Sequence, residues 1–169
     1  YSYQLRQELY PAQIVRVVTR KGSLKMTPQN QEYVHNPEQG IFGDCFRATL
    51  ASLLDKPISE VPHFLYDNNG DVFHERLHRF LNDLGYIWVE FTSWDLAQWK
   101  LNYSVTVPIY HAISDISPRS PDVLHCVVGC DGKVFFDPHP SKAGLPEITN
   151  ERTFGFIIPV GTLFAGVLK

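Results

Sequence analysis

Covalent chemistry in this chain would start at Cys45, in the stretch EQGIFGDCFRATLASLL that spans 38–54. A thiolate is the nucleophilic form of cysteine, and the unpaired N–H groups and dipole of a helix N-terminus stabilise it. The apolar residues Phe46, Leu50, Leu53 and Leu54 fall at i, i+4, i+7 and i+8. That spacing predicts a helix that opens at the cysteine and ends before Pro57. In the loop ahead of it, Gly40 and Gly43 allow backbone to approach a substrate closely, and Asp44 is a good N-cap. Gly43 and Asp44 are therefore candidate substrate-contacting positions, although an Asp44 carboxylate turned toward the sulfur would disfavour the thiolate. Free cysteines are more often small buried hydrophobes than nucleophiles, so the partners of Cys45 decide the matter.

The partner it needs is an imidazole oriented by a third group. With seven histidines present, only one in the right construction counts. The segment HCVVGCDGKVFFDPHP, 125–140, reads as two strands around a turn at Asp131-Gly132. A two-residue type I′ turn would pair Cys126 with Asp137 and aim His125 the other way. A three-residue loop of Cys130, Asp131 and Gly132, with Gly132 left-handed in a bulge, sets His125 directly opposite Asp137. The second register makes a His–carboxylate pair and is the one expected here. It groups Val127 and Gly129 with His125 and leaves Cys126 and Val128 as packing residues on the other face. Gln39, six residues before Cys45, could join the Cys45 N–H as an oxyanion donor. His139, just past Asp137, is a candidate substrate contact at the cleft edge, or else a plain loop histidine before a proline.

One rival constellation is explicit. HERLH, 74–78, matches the H-E-x-x-H pattern that offers zinc two imidazoles on one helix face. Phe73, Leu77 and Phe80 bury the neighbouring stripe, however, and no third ligand is marked, so His74 and His78 are expected to flank the core. His111 is the alternative base if the hairpin register differs, and His63 is expected to fix a turn. Trp88, Trp94 and Trp99 are read as core residues.

The elements that must position these groups follow from periodicity. Residues 1–37 read as an extended lead-in, with AQIVRVV and SLKMT as strands. Residues 38–85 hold the cysteine helix, a packed turn and loop through SEVPHFLYDNNGD, and a second helix, FHERLHRFLNDLG, that stops at Gly85. Residues 86–169 turn to β-branched and aromatic runs: YIWVEFT, a short WDLAQWK helix, YSVTVPIYHAIS, VLHCVVG, KVFFDP and FGFIIPV. SDISPRSPD, 114–122, reads as a polar loop able to line a cleft. Helices first and strands later make a single α+β domain, with N-terminal helices packed on one side of an antiparallel sheet.

Composition narrows the function classes. A net charge of -3 without a basic stripe argues against nucleic acid as partner. No apolar run reaches the roughly 20 residues of a membrane span. The opening YSYQLRQELYP has no positive stretch followed by an apolar core, so no secretory signal is expected. Three cysteines without repeated CxxC pairing argue against a disulfide framework or a structural zinc, and fit a reducing, cytoplasmic setting.

QGIFGDCF resembles the Q-G-x-C-G-S-C-W signature of papain-like cysteine peptidases, with the glutamine, both glycines and the aromatic after the cysteine at matching offsets. PIYHAIS followed by HCVVGCDGKVFFDP resembles the strand pattern of the bacteriocin-leader-processing peptidases of that superfamily. The run GDCFRATLASLLDKPISEVPHF, with DPHPSKAGL, is similar to small uncharacterised papain-like proteins of bacteriophages and bacteria. Together these cover roughly 34–145. The resemblance implies a papain-like fold, Cys45 as nucleophile, His125 as base, Asp137 as orienting group and Gln39 in the oxyanion hole, with no metal or organic cofactor. Phe42 stands where papain has a disulfide cysteine, and an aspartate stands where papain has its orienting asparagine. The expected activity is a cysteine hydrolase acting on a protein, peptide or small amide. A non-catalytic binding or inhibitor protein on the same fold is the alternative.

Overall fold

The computed structural model describes residues 26–67, 69–92, 109–147 and 149–161. Among them lie two α-helices, α1 (Cys45–Leu53) and α2 (Phe73–Asp83), and five strands. The strands are β1 (Tyr86–Thr92), β2 (Tyr110–Ser117), β3 (Ser120–Cys130), β4 (Lys133–Phe136) and β5 (Thr153–Pro159). They form one antiparallel sheet in the order β1-β5-β2-β3-β4. The domain is thus α+β, as the order of periodicities implies. The AQIVRVV strand and the WDLAQWK helix lie outside the described residues, as does most of SLKMT, whose last two residues have no regular structure.

Each helix follows from its residues. In α1 the small side chains Ala48, Ala51 and Ser52 are fully buried beside Leu50, which lets the helix lie close to the sheet. Ser52 Oγ donates to the Ala48 carbonyl and accepts the Gln29 N–H at 2.8 Å, tying the incoming chain to the helix. α2 buries Leu77 and Leu81 and stops at Gly85, whose φ of +78° is the left-handed conformation that suits a helix end. Both helices contribute to one core with Trp88, Ala112 and Cys126 of the sheet. Gly155 belongs to that face because the Trp88 ring lies where a side chain would be: an added Cβ would meet its Cζ2 at 2.0 Å.

The other face carries Ile113, Val127 and Phe154, covered by Leu145. There the buried Asp115 accepts from Arg152 Nε at 2.7 Å and from the Thr149 hydroxyl, which straps residues 146–152 onto β2. The polar loop expected over 114–122 is not a loop. β2 continues to Ser117 and β3 begins at Ser120, so only Pro118 and Arg119 form the turn. Ile113, Asp115 and Ser117 alternate there in burial, but two of the three are polar, so no apolar alternation marked the strand. Among the described residues no helix is long and apolar enough to cross a membrane.

Candidate active site

Cys45 is the first residue of α1 and is half-buried. It packs against the core cluster that holds Cys126 of β3, and the backbone N–H groups of Cys126 and Phe46 favour its thiolate electrostatically. β4 is only four residues long and stops opposite Val128, so the stretch of β3 before it lacks a partner on that side. Burial is the largest influence on the thiol and raises its pKa above the usual value, with Asp44 adding to the rise and the two N–H groups opposing it. Cys45 is therefore a thiol at rest, and a base must take its proton.

His125 is adjacent in sequence to Cys126. Its Nε2 donates to Asp137 Oδ1 at 2.8 Å, and both side chains are buried. With the proton fixed on Nε2, Nδ1 is the basic nitrogen. Burial lowers the imidazole pKa, while Asp137 works against that lowering. The same face offers a second carboxylate, since Asp115 is paired across β2 with His125. Asp115 is committed to Arg152, Thr149 and its neighbour Ile116 N–H, which leaves the imidazole to Asp137.

The register that brings His125 and Asp137 together differs from the expected one. Cys130 pairs with Lys133, so Asp131 and Gly132 form a two-residue turn, both at positive φ (50° and 78°), as type I′ requires. Gly129 then pairs with Val134 but Val128 with Phe136, and Phe135 is the extra residue of a bulge. One step further, Asp137 comes beside Val127 and reaches His125 along the strand. The face is the expected one, and the route to it is a bulge in place of a three-residue turn. Cys126 belongs to the helix-side core, with burial pushing its thiol up to about 12.

Asp137 is held by its own loop. Oδ1 also accepts the His139 N–H and Oδ2 accepts the Gly144 N–H, each at 2.8 Å. Gly144 has φ +70°, which glycine adopts without cost and which turns its N–H inward. Burial pushes the carboxyl pKa up, but these two N–H groups and His125 outweigh it and hold it below the usual range. Lys142 Nζ donates to the Asp137 carbonyl at 2.7 Å and closes the loop.

The remaining sequence-predicted positions fare differently. Asp44 occupies the N-cap position of α1 but makes no side-chain capping bond. It is 1 % exposed, with Oδ1 accepting the Tyr33 N–H and Oδ2 paired with Arg47, so it braces the loop and has no face for substrate. Gly43 lies against His35: an added Cβ would meet backbone and side chain there at 3.2 Å. Its lack of a side chain serves that packing. Gln39 ends a short 3-10 turn (Pro37–Gln39), is exposed, and its side chain makes no hydrogen bond among the described residues. His139 sits beside the pair, its ring 6.0 Å from His125 edge to face, with Nδ1 accepting the Ser141 N–H at 3.0 Å.

Of the rivals, His74 and His78 have ring centroids 6.4 Å apart, and Glu75 between them is paired with Arg79. Among the described residues no three His, Cys, Asp or Glu side chains are grouped to hold a metal. His111 is buried on β2, stacked on Phe156 and bonded to the Ile109 carbonyl. His63 Nε2 lies 3.0 Å from the Phe42 carbonyl and anchors the loop before Cys45. That loop lines a groove of about 800 Å³ with Tyr33, Ile41, Phe42, His63 and Tyr66, but Cys45, His125 and Asp137 do not line it. Sequence reasoning missed Arg119, the turn residue whose Nη1 donates to Ser141 Oγ at 3.0 Å beside the site. The signal available was a Pro-Arg pair between two alternating strands.

No family model, curated protein or solved structure matches the chain.

Proposed function

We propose that the chain is a cysteine-dependent hydrolase of amides or esters, working through Cys45, His125 and Asp137 on a papain-like arrangement. The observation that carries this reading is the buried His125–Asp137 hydrogen bond, on the strand whose next residue, Cys126, belongs to the core cluster that Cys45 packs against. A buried imidazole tied through Nε2 to a carboxylate with no remaining duty is a base held in one tautomer.

In this mechanism His125 Nδ1 takes the Cys45 proton as sulfur attacks the carbonyl carbon, and the C–S bond forms as the carbonyl π pair moves to oxygen. Orphan N–H groups at the start of α1 face the developing oxyanion. The imidazolium then protonates the leaving amine or alcohol as its bond to carbon breaks, which leaves an acyl thioester. Water, deprotonated by His125, releases the acid and returns the thiol. An amine in place of water gives acyl transfer by the same steps. Asp137 stabilises the imidazolium formed in each half. Gln39 is kept as a donor to the oxyanion on the resemblance of QGIFGDCF, with its exposed amide able to swing on a flexible stem.

The test is thiol reactivity residue by residue. A neutral alkylating reagent near neutral pH should label Cys45 well ahead of Cys126 and Cys130, and His125→Ala should abolish that lead. Equal reactivity at the three thiols, or a lead indifferent to His125, sinks the reading. A mass-spectrometric comparison of lysate peptides after wild-type and Cys45→Ala treatment then separates a hydrolase from a binding protein on the same scaffold.

A further inference from the structure

Five arginines fall within the described residues, and four of them sit on carboxylates: Arg47 on Asp44 and Glu32, Arg76 on Asp67, Arg79 on Glu75 and Arg152 on Asp115. Arg119 is the exception. Among the described residues its guanidinium makes one hydrogen bond, from Nη1 to Ser141 Oγ at 3.0 Å. A guanidinium carries five N–H donors in a planar fork that matches the two oxygens of a carboxylate, so most of this one's capacity is open.

Its position gives that capacity a direction. Ser141 Oγ lies 2.8 Å from His139 Nδ1, the His139 N–H is bonded to Asp137 Oδ1, and the His139 ring meets His125 at 6.0 Å. Arg119 is thus joined through two side chains to the candidate base. Its positive field also reaches the Cys45 sulfur. The two carboxylates flanking the candidate catalytic groups are taken up elsewhere: Asp137 by His125, His139 and Gly144, and Asp44 by Tyr33 and Arg47. Lys142 is held by Asn30 and the Asp137 carbonyl.

We propose that Arg119 is a specificity-determining residue that binds a substrate carboxylate placed beside the scissile carbonyl. The inference rests on Cys45 being the nucleophile and names the substrate class for that site: acyl compounds that are anionic next to the bond cleaved. Arginine suits the role better than lysine because the fork can hold Ser141 with one N–H and the ligand with two others.

Iodoacetate and iodoacetamide differ by a carboxylate for an amide and alkylate the same sulfur, so their rate ratio at Cys45, divided by the ratio at free cysteine, reads anion recognition alone. In wild type this normalised ratio should stand about tenfold above one, within the range that local fields impose on charged reactants. It should fall to about one in Arg119→Gln, remain largely intact in Arg119→Lys, and shrink in high salt. A loop merely disturbed by the substitution would change both rates together and leave the ratio. Rapid labelling of Cys45 with the same ratio in wild type and Arg119→Gln overturns the carboxylate site and leaves the nucleophile standing. Labelling of Cys45 no faster than Cys130 by either reagent overturns the nucleophile and this inference with it. Matched peptide amides locate the carboxylate: glutamate against glutamine in the acyl half, or a free carboxylate against its amide in the leaving half. An Arg119-dependent gain in kcat/KM in either series supports the site, and a gain in neither refutes it.

Discussion

His125 Nε2 donates to Asp137 Oδ1 at 2.8 Å across a hairpin whose two-residue turn, left regular, would put the two on opposite faces. The extra residue at Phe135 changes the parity, because side chains alternate faces with a period of two. Asp137 Oδ2 then accepts the Gly144 N–H. That second bond calls for a carboxylate at this position: an asparagine with its amide oxygen on His125 would turn its NH2 against another N–H.

Asp137→Asn should therefore lose stability as well as activity. In the proposed mechanism the lost carboxylate removes the counter-charge for the imidazolium, and general acid–base catalysis of this kind contributes roughly a hundredfold or more to rate. The unsatisfied Gly144 N–H costs about 1–3 kcal/mol. Urea unfolding and turnover of any amide substrate check the two effects, and an Asn variant with wild-type stability would contradict the assigned role of Oδ2.

Asp44→Asn is expected to move stability and reactivity in opposite directions. The amide breaks the buried contact with Arg47, which should cost about 1–3 kcal/mol in urea unfolding. It also removes a negative charge that holds the Cys45 thiol pKa up. Alkylation of Cys45 at neutral pH should then rise by roughly two- to fivefold, the effect of one nearby charge at a partly exposed site. Slower alkylation in a folded variant would show that Asp44 instead supports the nucleophile.

How much of this was legible in the sequence depends on the range of the interaction. Both helices show in their apolar spacing, since Leu50 in α1 and Leu77 and Leu81 in α2 meet the core at the expected period. The pairing of faces in the hairpin follows from the wish of a buried imidazole for a carboxylate. The bulge at Phe135 does not, because a two-residue turn plus a bulge and a three-residue turn both bring Asp137 to the face of His125. Asp44 looks like an N-cap from its neighbours alone, and only the approach of Tyr33 and of Arg47 draws its carboxylate away. Arg119 was hidden for the same reason: its partner Ser141 lies 22 residues on and meets it only through the loop that wraps Asp137.

Gly155→Ala tests the packing that holds the sheet to the helices. The added methyl would meet Trp88 Cζ2 at 2.0 Å and Cη2 at 2.2 Å, and the indole is confined by Phe46 at 5.4 Å between centroids. Overpacking of this kind costs about 1–3 kcal/mol or more. Loss should appear in the urea midpoint, while an unchanged midpoint would mean the indole can leave its place freely.

Acid should weaken the fold before the usual carboxylate range is reached. Burial lowers the pKa of His111, His125 and His139 from an ordinary value of 6.5, with Asp137 partly countering it at His125. A group whose folded pKa is depressed gives stability that is fully present above its unfolded pKa and lost as pH falls toward the folded one, because the unfolded chain binds the proton first. The urea midpoint should therefore hold level above 6.5 and start to fall below it. Asp137 and Asp115, both held below the ordinary 3.8, add a second decline beneath that value. Substituting His111 by Gln should flatten part of the first decline and leave the second, since it removes a titrating group and no carboxylate. A midpoint that rises between neutrality and pH 5 would mean that at least one of these imidazoles is charged in the native state, and for His125 that would make the resting site an imidazolium and not a free base.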